Sequence, residues 1–498
     1  MLWKKLVWIL ENVNTFNEAV MKNKIILILL LFLILIAFQG CATFNQNKTL
    51  VEQRIDSVLV SPLFTTAQAG ISVIDLKSKQ PIFQQNEKKL FRPASNQKLF
   101  TTSAALVFLG TDYKFTTSLY HTSEVKDSVC IGDIFYVGGF DPEFSSSNLD
   151  SLSRELKKFG IKQISGNLYA DVSMMDSLFW GEGWMWNDDP ATYIPYLSPL
   201  TINKNTIKVF YEPGEIGKPV QIKLLPQTSF FKIENHTTTI DTGKSSFVID
   251  RDWLRRRNTI FVGGNILQSA KKDSAEFNVF DPAFYFLTLA KESLERNGIS
   301  LTGKIDTLTL TQNAIKIFSF ERNIKPVVTY TNKVSDNLNA ELLLRALSRK
   351  ASAGKASSQN GKKLIDSLIT LSGANPKGYR VTDGSGLSYY NLTTAELLSK
   401  VLVYMYGKDK VTFDAFFASL PIGGVDGTLS NRYKNSPAKE NVFAKTGTIS
   451  GVASLSGYIK TKKENWLAFS ILIQNYVGSA SEARKIQDKL CEILFDEL

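Results

Sequence analysis

Phe91-Arg92-Pro93-Ala94-Ser95-Asn96-Gln97-Lys98-Leu99-Phe100-Thr101-Thr102 is the stretch on which the reading of this chain turns. Pro93 disfavours a helix running in through Ala94. Beyond it, Leu99, Phe100, Ala104, Ala105, Leu106, Val107, Phe108 and Leu109 keep the chain apolar until Gly110, a natural stop. Such a run is too apolar on all sides for a surface helix and predicts one buried in a domain centre. A helix starting near Ser95 puts Ser95 and Lys98 on one face, because positions i and i+3 are neighbours. It also aims its N-terminal N–H groups at whatever reacts there. A serine hydroxyl is a weak nucleophile unless a base stands beside it, and a lysine of lowered pKa can be that base.

Alone, the spacing is cheap. The same S-x-x-K pattern occurs at Ser123/Lys126, Ser269/Lys272, Ser352/Lys355 and Ser436/Lys439, in polar stretches with no buried helix behind them. An N-cap serine with a surface lysine is the plainer reading of Ser95 by itself.

Two downstream pieces change the balance. Ser335-Asp336-Asn337 precedes a helix expected over 338–347, and Lys445-Thr446-Gly447-Thr448 lies just before strands expected over 454–459 and 466–474. S-x-N also recurs, at Ser146/Asn148, Ser165/Asn167 and Ser358/Asn360, but Lys-Thr-Gly occurs once. S-x-x-K, S-D-N and K-T-G in this chain order form a known catalytic set. The chemistry is coherent. Lys98 would take the Ser95 proton, with Lys445 lowering its pKa by like-charge repulsion. Ser335 can relay a proton to a leaving amine, and Asn337 can hold a substrate amide with both donor and acceptor. Gly447 would let a strand edge approach a substrate closely, while Lys445, Thr446 and Thr448 can bind a carboxylate. The backbone N–H groups of Ser95 and Thr448 would form an oxyanion hole, each donor worth about 3–4 kcal/mol.

The chain has 498 residues, enough for two to four domains, with 44% hydrophobic and 21% charged residues, as in globular proteins. Its net charge of +11 suits an anionic partner such as lipid headgroups or a carboxylate-rich polymer, although a basic solvated surface is the plainer reading. No Arg/Lys block with interleaved aromatics points to nucleic acid. Three cysteines make no disulfide framework; Cys130 and Cys491 read as small buried hydrophobes. His121 and His236 are the only histidines, neither with a Cys or carboxylate cluster, which argues against a metal site and a Ser-His-Asp triad. No cofactor is implied.

Lys22 and Lys24 precede fourteen uncharged apolar residues, 25–38, fewer than the roughly 20 of a transmembrane helix. Gln39-Gly40-Cys41 follows and resembles a bacterial lipoprotein processing site. Residues 1–40 are then a signal segment, with 21–40 the signal proper and Met21 its natural start. Cys41 becomes the lipidated terminus of a tether over 41–49. A signal anchor is the competing reading.

Along the rest of the chain a hairpin is expected over 71–83, strands through 115–175 and a short helix over 151–159. The aromatic segment Gly183-Trp184-Met185-Trp186-Asn187-Asp188-Asp189, running on to Tyr193, is either a packed connection or a lip of the substrate cleft. Residues 205–268 read as all β. Helices follow from Pro282 to Asn297-Gly298, over 364–371 and over 394–405, with a closing amphipathic helix at 481–495. Gly243-Lys244-Ser245 ends like a phosphate loop, but Thr238 stands where its first glycine would be.

Together with the three motifs, Gly138-Gly139-Phe140-Asp141-Pro142, Gly183-Trp184-Met185-Trp186, Asp383-Gly384-Ser385-Gly386-Leu387-Ser388 and Leu420-Pro421-Ile422-Gly423-Gly424-Val425-Asp426-Gly427-Thr428-Leu429 resemble the D-alanyl-D-alanine carboxypeptidase/endopeptidase family, the low-molecular-mass class C penicillin-binding proteins. Ser95 and Ser335 stand 240 residues apart, a gap in which that family inserts two extra domains. The resemblance implies a multi-domain α/β fold. Its β-lactamase-like catalytic domain, a β-sheet flanked by helices, would be built from 50–115 and 318–498. A second domain would span 116–204 with 269–317, and a β domain, 205–268, would nest inside it. The implied substrates are peptidoglycan stem peptides, with β-lactams as covalent inhibitors, in the periplasm. A β-lactamase or a D-amino-acid esterase/amidase on the same scaffold is the alternative, as is a non-catalytic peptidoglycan-binding lipoprotein. The oligomeric state is not legible.

Overall fold

The computed structural model describes residues 48–498, together with 3–8, 21 and 24. Cys41 and the apolar run 25–38 therefore lie outside the described residues. Among the described residues no helix is long and apolar enough to cross a membrane. The chain divides into two compact units, Met1–Asp56 and Ser57–Leu498. In the first, Thr49 and Glu52 exchange reciprocal bonds at the start of the helix Leu50–Leu59, the Thr49 N–H reaching Glu52 at 2.7 Å.

The second unit is organised by an antiparallel sheet of β1 (Gln68–Asp75), β2 (Pro81–Gln85), β3 (Val442–Ile449), β4 (Val452–Lys460) and β5 (Trp466–Gln474), in the order β3-β4-β5-β1-β2. β1 pairs with β5 from Gln68↔Gln474 to Asp75↔Leu467, so the two ends of the unit share one sheet. β4 and β5 are buried almost throughout rather than on alternate residues, because helices cover both faces of the sheet. Lys-Thr-Gly precedes the strand pair β4 and β5, as expected, but is itself part of a strand, β3, that the sequence reading did not mark. β3 is an edge strand, and its run of Lys445, Thr446, Gly447 and Thr448 carries little of the apolar alternation by which strands are recognised.

α1 (Gln97–Phe108), α2 (Asn337–Ala351), α3 (Ala395–Tyr406) and α4 (Ser481–Glu497) complete the frame around the sheet. Every α1 residue from Gln97 to Leu106 is buried, as its all-round apolarity predicts. α2 is capped by Asp336, whose carboxylate accepts the Asn339 N–H at 2.7 Å. α1, α2 and α3 share one hydrophobic core through Leu99, Phe100, Leu342, Leu343, Leu398 and Leu402. The helix Ile324–Lys333 goes unread in the sequence because Pro326 sits in its first turn, where proline is tolerated.

The region between Ser95 and Ser335 has a core of its own. A five-stranded sheet runs Ile305–Thr307, Leu168–Asp171, Ile134–Gly139, Lys114–His121, Ile315–Asn323, with Leu152 and Leu156 of one helix and Phe286 and Leu294 of another packed in the same cluster. The first of those helices, Ser146–Lys158, begins before the expected 151 because Ser145 and Asn148 form a capping box. Two three-stranded sheets follow, one of Thr206–Glu212, Gln221–Leu225 and Asp273–Asn278, the other of Lys232–Ile240, Val248–Arg251 and Thr259–Leu267. Ile315–Asn323 runs through the expected boundary at 317/318, and Asp273–Asn278 joins a sheet otherwise built within 205–268. Cys130 and Cys491 are both buried.

Candidate active site

Ser95 is the middle residue of a single 3₁₀ turn, Ala94–Asn96, that leads into α1. Buried bonds fix that turn to the sheet. Asn96 Nδ2 donates to the Lys445 carbonyl at 2.7 Å, Ser456 Oγ donates to Asn96 Oδ1 at 2.7 Å, and Ser454 Oγ donates to the Pro93 carbonyl at 2.7 Å. Gly447 lines the cleft, and its surroundings add a second demand for glycine there. A Cβ there would fall 2.2 Å from Ser454 Oγ and 2.8 Å from the Ser95 nitrogen, so the glycine makes room for the nucleophile turn itself. Gly386 does the same from the other side: its φ is +87°, and a Cβ would fall 1.8 Å from the Ala94 carbonyl oxygen.

Lys98, on the first turn of α1, points Nζ at three neutral oxygens: Asn337 Oδ1 at 2.6 Å, the Ser385 carbonyl at 2.7 Å and Ser95 Oγ at 3.0 Å. Its pKa is lowered to about 8. The cause differs from the expected one. Burial lowers it, and the charges of Asp383, Asp336 and Glu341 oppose that shift. Like-charge repulsion falls instead on Lys445, which burial first and Lys98 second push well below the usual lysine range. Lys445 Nζ donates to Ser335 Oγ and to the Thr446 carbonyl, both at 2.8 Å.

Ser335 adopts a left-handed φ of +67° immediately before α2, and Asn337 is the first residue of that helix. Both ends of the Asn337 amide are engaged. Oδ1 accepts from Lys98, and Nδ2 donates to the Tyr193 carbonyl at 2.6 Å, so a substrate amide would have to share or displace these partners. Thr446 Oγ1 donates to Thr428 Oγ1 at 2.8 Å. Thr448 Oγ1 accepts from Arg484 Nη2, on α4, at 3.1 Å.

Three residues of this constellation carry no role in the sequence reading. Glu341, one turn beyond Asn337 on α2, accepts the N–H groups of Gly384 and Ser385 at 2.9 Å each, which aims the Ser385 carbonyl used by Lys98. Burial raises its pKa to about 7. Asp383, also buried, accepts from Gly386 N, Ser388 N, Asn391 Nδ2 and Trp184 Nε1 at 2.7–2.9 Å. Arg484 is the third. The available signal was a carboxylate in the otherwise apolar run of α2; nothing in the sequence places Arg484 beside Thr448.

Two cavities, of about 470 and 540 Å³, meet at Ser95, Ser335 and Thr448. The smaller is lined by Thr428, Thr446, Arg432 and Arg484, hydroxyls and cations suited to a carboxylate. The larger is lined by Asp188, Tyr193, Leu387 and Tyr389. Ser95, Lys98, Ser335, Asn337, Lys445, Thr446, Gly447 and Thr448 thus come together at one cleft. His121 and His236 sit on strands of the inserted region and line neither cavity.

Known proteins are similar over most of this chain. The chain is 30% identical over 464 residues to the D-alanyl-D-alanine carboxypeptidase of Actinomadura sp. (strain R39), covering 89% of this chain and 84% of the relative. It is 27% identical over 456 residues to the D-alanyl-D-alanine carboxypeptidase DacB of Haemophilus influenzae, covering 89% and 93%. The crystal structure of penicillin binding protein 4 (dacB) from Haemophilus influenzae superposes with a TM-score of 0.79 at 26% identity, over 90% of this chain and 99% of that one. The model of the D-Ala-D-Ala carboxypeptidase 3 (S13) family matches residues 51–496. With nearly the whole described chain matched, this protein belongs to the D-Ala-D-Ala carboxypeptidase 3 (S13) family.

Proposed function

We propose that the chain is a serine D-Ala-D-Ala carboxypeptidase/endopeptidase that acts on peptidoglycan stem peptides through a Ser95 acyl-enzyme, with Lys98 as general base. The observation that carries this is the set of three neutral oxygens around Lys98 Nζ. Two N–H bonds of a neutral lysine satisfy Asn337 Oδ1 and the Ser385 carbonyl, and the lone pair then faces Ser95 Oγ. Lys98 takes the Ser95 proton as Oγ attacks the penultimate D-Ala carbonyl. The N–H groups of Ser95 and Thr448 receive the oxyanion. Collapse breaks the peptide bond, and Ser335 hands a proton to the leaving amine and recovers one from within the lysine pair, so the proton taken from Ser95 balances the one delivered. Water then hydrolyses the ester. The terminal carboxylate fits the lobe of Thr446, Thr448 and Arg484, and a stem peptide fits the lobe of Tyr193 and Tyr389.

A labelled penicillin should modify Ser95 alone, and Ser95→Ala should abolish both labelling and release of D-alanine. Retention of either would overturn the assignment. Digestion of purified peptidoglycan, read by mass, separates loss of D-alanine from conversion of dimers to monomers. Rapid turnover of penicillin would instead mark a β-lactamase, and retention on insoluble peptidoglycan with no change in muropeptides would mark a binding protein.

We also infer an extracytoplasmic, membrane-anchored protein, on the strength of Lys22, Lys24, the apolar run 25–38 and Gly40-Cys41. Cys41→Ser should move it from the detergent phase to the aqueous phase; partition unchanged by that substitution would remove the lipid anchor.

A further inference from the structure

The aromatic segment divides its residues between two cavities. Asp188 and Tyr193 line the cleft at Ser95, whereas Trp186 and Asp189 line a separate cavity of about 350 Å³. Phe179, Trp180, Trp184 and Tyr196 also line it, and Trp253 closes the far side, from the β-rich part of the inserted region. Its lips are two single 3₁₀ turns, Trp186–Asp188 and Trp253–Arg255, whose indoles stand 5.3 Å apart between ring centroids. Trp180 packs edge-on to Trp184 at 5.7 Å and lies 5.0 Å from Tyr196, giving the cavity a rigid aromatic side. Trp186 is 67% exposed and Leu254, beside Trp253, is 70% exposed. Exposed large apolar groups gathered at one concavity mark a binding site more often than chance.

The polar groups narrow the ligand. Asp189 is already engaged by Arg251 and by the Tyr196 hydroxyl, so it offers no free charge. Arg256 lies over Phe179 at 5.9 Å and gives the rim a positive charge, which opposes a cationic ligand of the kind aromatic cages bind. What remains is a ligand with flat apolar faces and a polar edge, neutral or anionic. A pyranose ring has that character, with C–H faces for indoles and hydroxyls for the rim.

We propose that this cavity holds an N-acetylated hexosamine ring of the glycan strand whose stem peptide enters the Ser95 cleft. The proposal rests on the peptidase reading above, because it makes both cavities parts of one substrate. Asp188 and Asp189 are consecutive residues facing the two cavities, so a ligand bridging them needs no remote coupling.

The test uses the full chain in detergent. Tryptophan fluorescence titrated with N-acetylchitotriose should change saturably, and the change should be lost in Trp186→Ala and in Trp253→Ala. Kinetically, a disaccharide-linked pentapeptide should have a KM about tenfold below that of the free pentapeptide. Trp253→Ala should erase that difference while leaving kcat on the free peptide and acylation by penicillin unchanged. Equal KM values in the native chain, absence of saturable binding, or a preference that survives both substitutions would each overturn the proposal. Should Trp253→Ala lose penicillin acylation and so betray misfolding, the native chain's own two-substrate comparison decides. If the native chain is not acylated by penicillin, the peptidase reading fails, while the chitotriose titration still reports on this cavity.

Discussion

Two sets of buried cations, Arg251 of the inserted region and the pair Lys98 and Lys445 of the cleft, are treated in opposite ways. In the inserted region, Arg251 is fully buried and meets charge with charge. It pairs with the Asp189 carboxylate, adds Asn278 Oδ1 at 2.9 Å and the Arg257 carbonyl at 3.1 Å, and Tyr196 caps the same carboxylate at 2.7 Å. In the catalytic cleft, Lys98 and Lys445 are equally buried yet touch only neutral oxygens. A paired guanidinium stays charged and fixes structure. A lysine denied a carboxylate contact can lose its proton, which is what a base requires. Carboxylates do stand near Lys98, but Glu341 accepts the N–H groups of Gly384 and Ser385 with one oxygen and turns the other to Arg345, and Asp383 accepts from Gly386 and Ser388 N–H and from the Asn391 and Trp184 side chains. They orient Lys98's acceptor without contacting Nζ.

The largest expected effect comes from removing the proposed base. Lys98→Ala should slow penicillin acylation by about 10²–10⁴-fold while thermal unfolding stays cooperative; near-native acylation would show that another group takes the proton. Breaking the other region should cost stability instead. Arg251→Met leaves Asp189 buried and unpaired and should destabilise by about 3–5 kcal/mol in denaturant unfolding, with acylation by the folded protein little changed. A direct exchange of the two treatments is Asn337→Asp, which puts a carboxylate where Lys98 finds an amide oxygen at 2.6 Å. The Lys98 pKa should rise by about 1–3 units, and the acylation profile should move up with it. In the native chain the sign is the same on a smaller scale. With Lys98 as the proposed base its neutral form would be the active one, so acylation should climb about tenfold per pH unit toward its pKa of about 8 and level off above it. A profile flat from pH 6 to 9 would refute that. Smallest is Ser456→Ala, which removes one bond to Asn96 beneath the nucleophile turn and should cost about 1 kcal/mol.

Much of the site is legible in the residues. The spacing Ser95/Lys98 before an all-apolar helix, Ser335-Asp336-Asn337 before another, and a single Lys-Thr-Gly mark the contributors to the cleft. The aromatic segment admits two readings, and its residues divide: Trp184 is packed against Asp383, Tyr193 meets Asn337, and Trp186 faces elsewhere. What escapes are features that depend on a neighbour distant in sequence. That Gly447 also leaves room for the Ser95 turn shows only when the two segments are seen together. Lys445 looks like the cause of Lys98's lowered pKa until the burial of both is known.

By itself, then, the sequence determined which residues can react, because nucleophile, base and helix start are local and periodic properties. It also determined the buried character of α1, since apolarity on every face leaves no side for water. Only the tertiary structure decided how Lys98 is made neutral, because desolvation depends on what covers a group from every direction. It alone brought Arg484 to Thr448 and Glu341 to the Ser385 amide. It also set Trp253 of the inserted region opposite Trp186, because close approach between distant segments is fixed by packing and not by spacing along the chain.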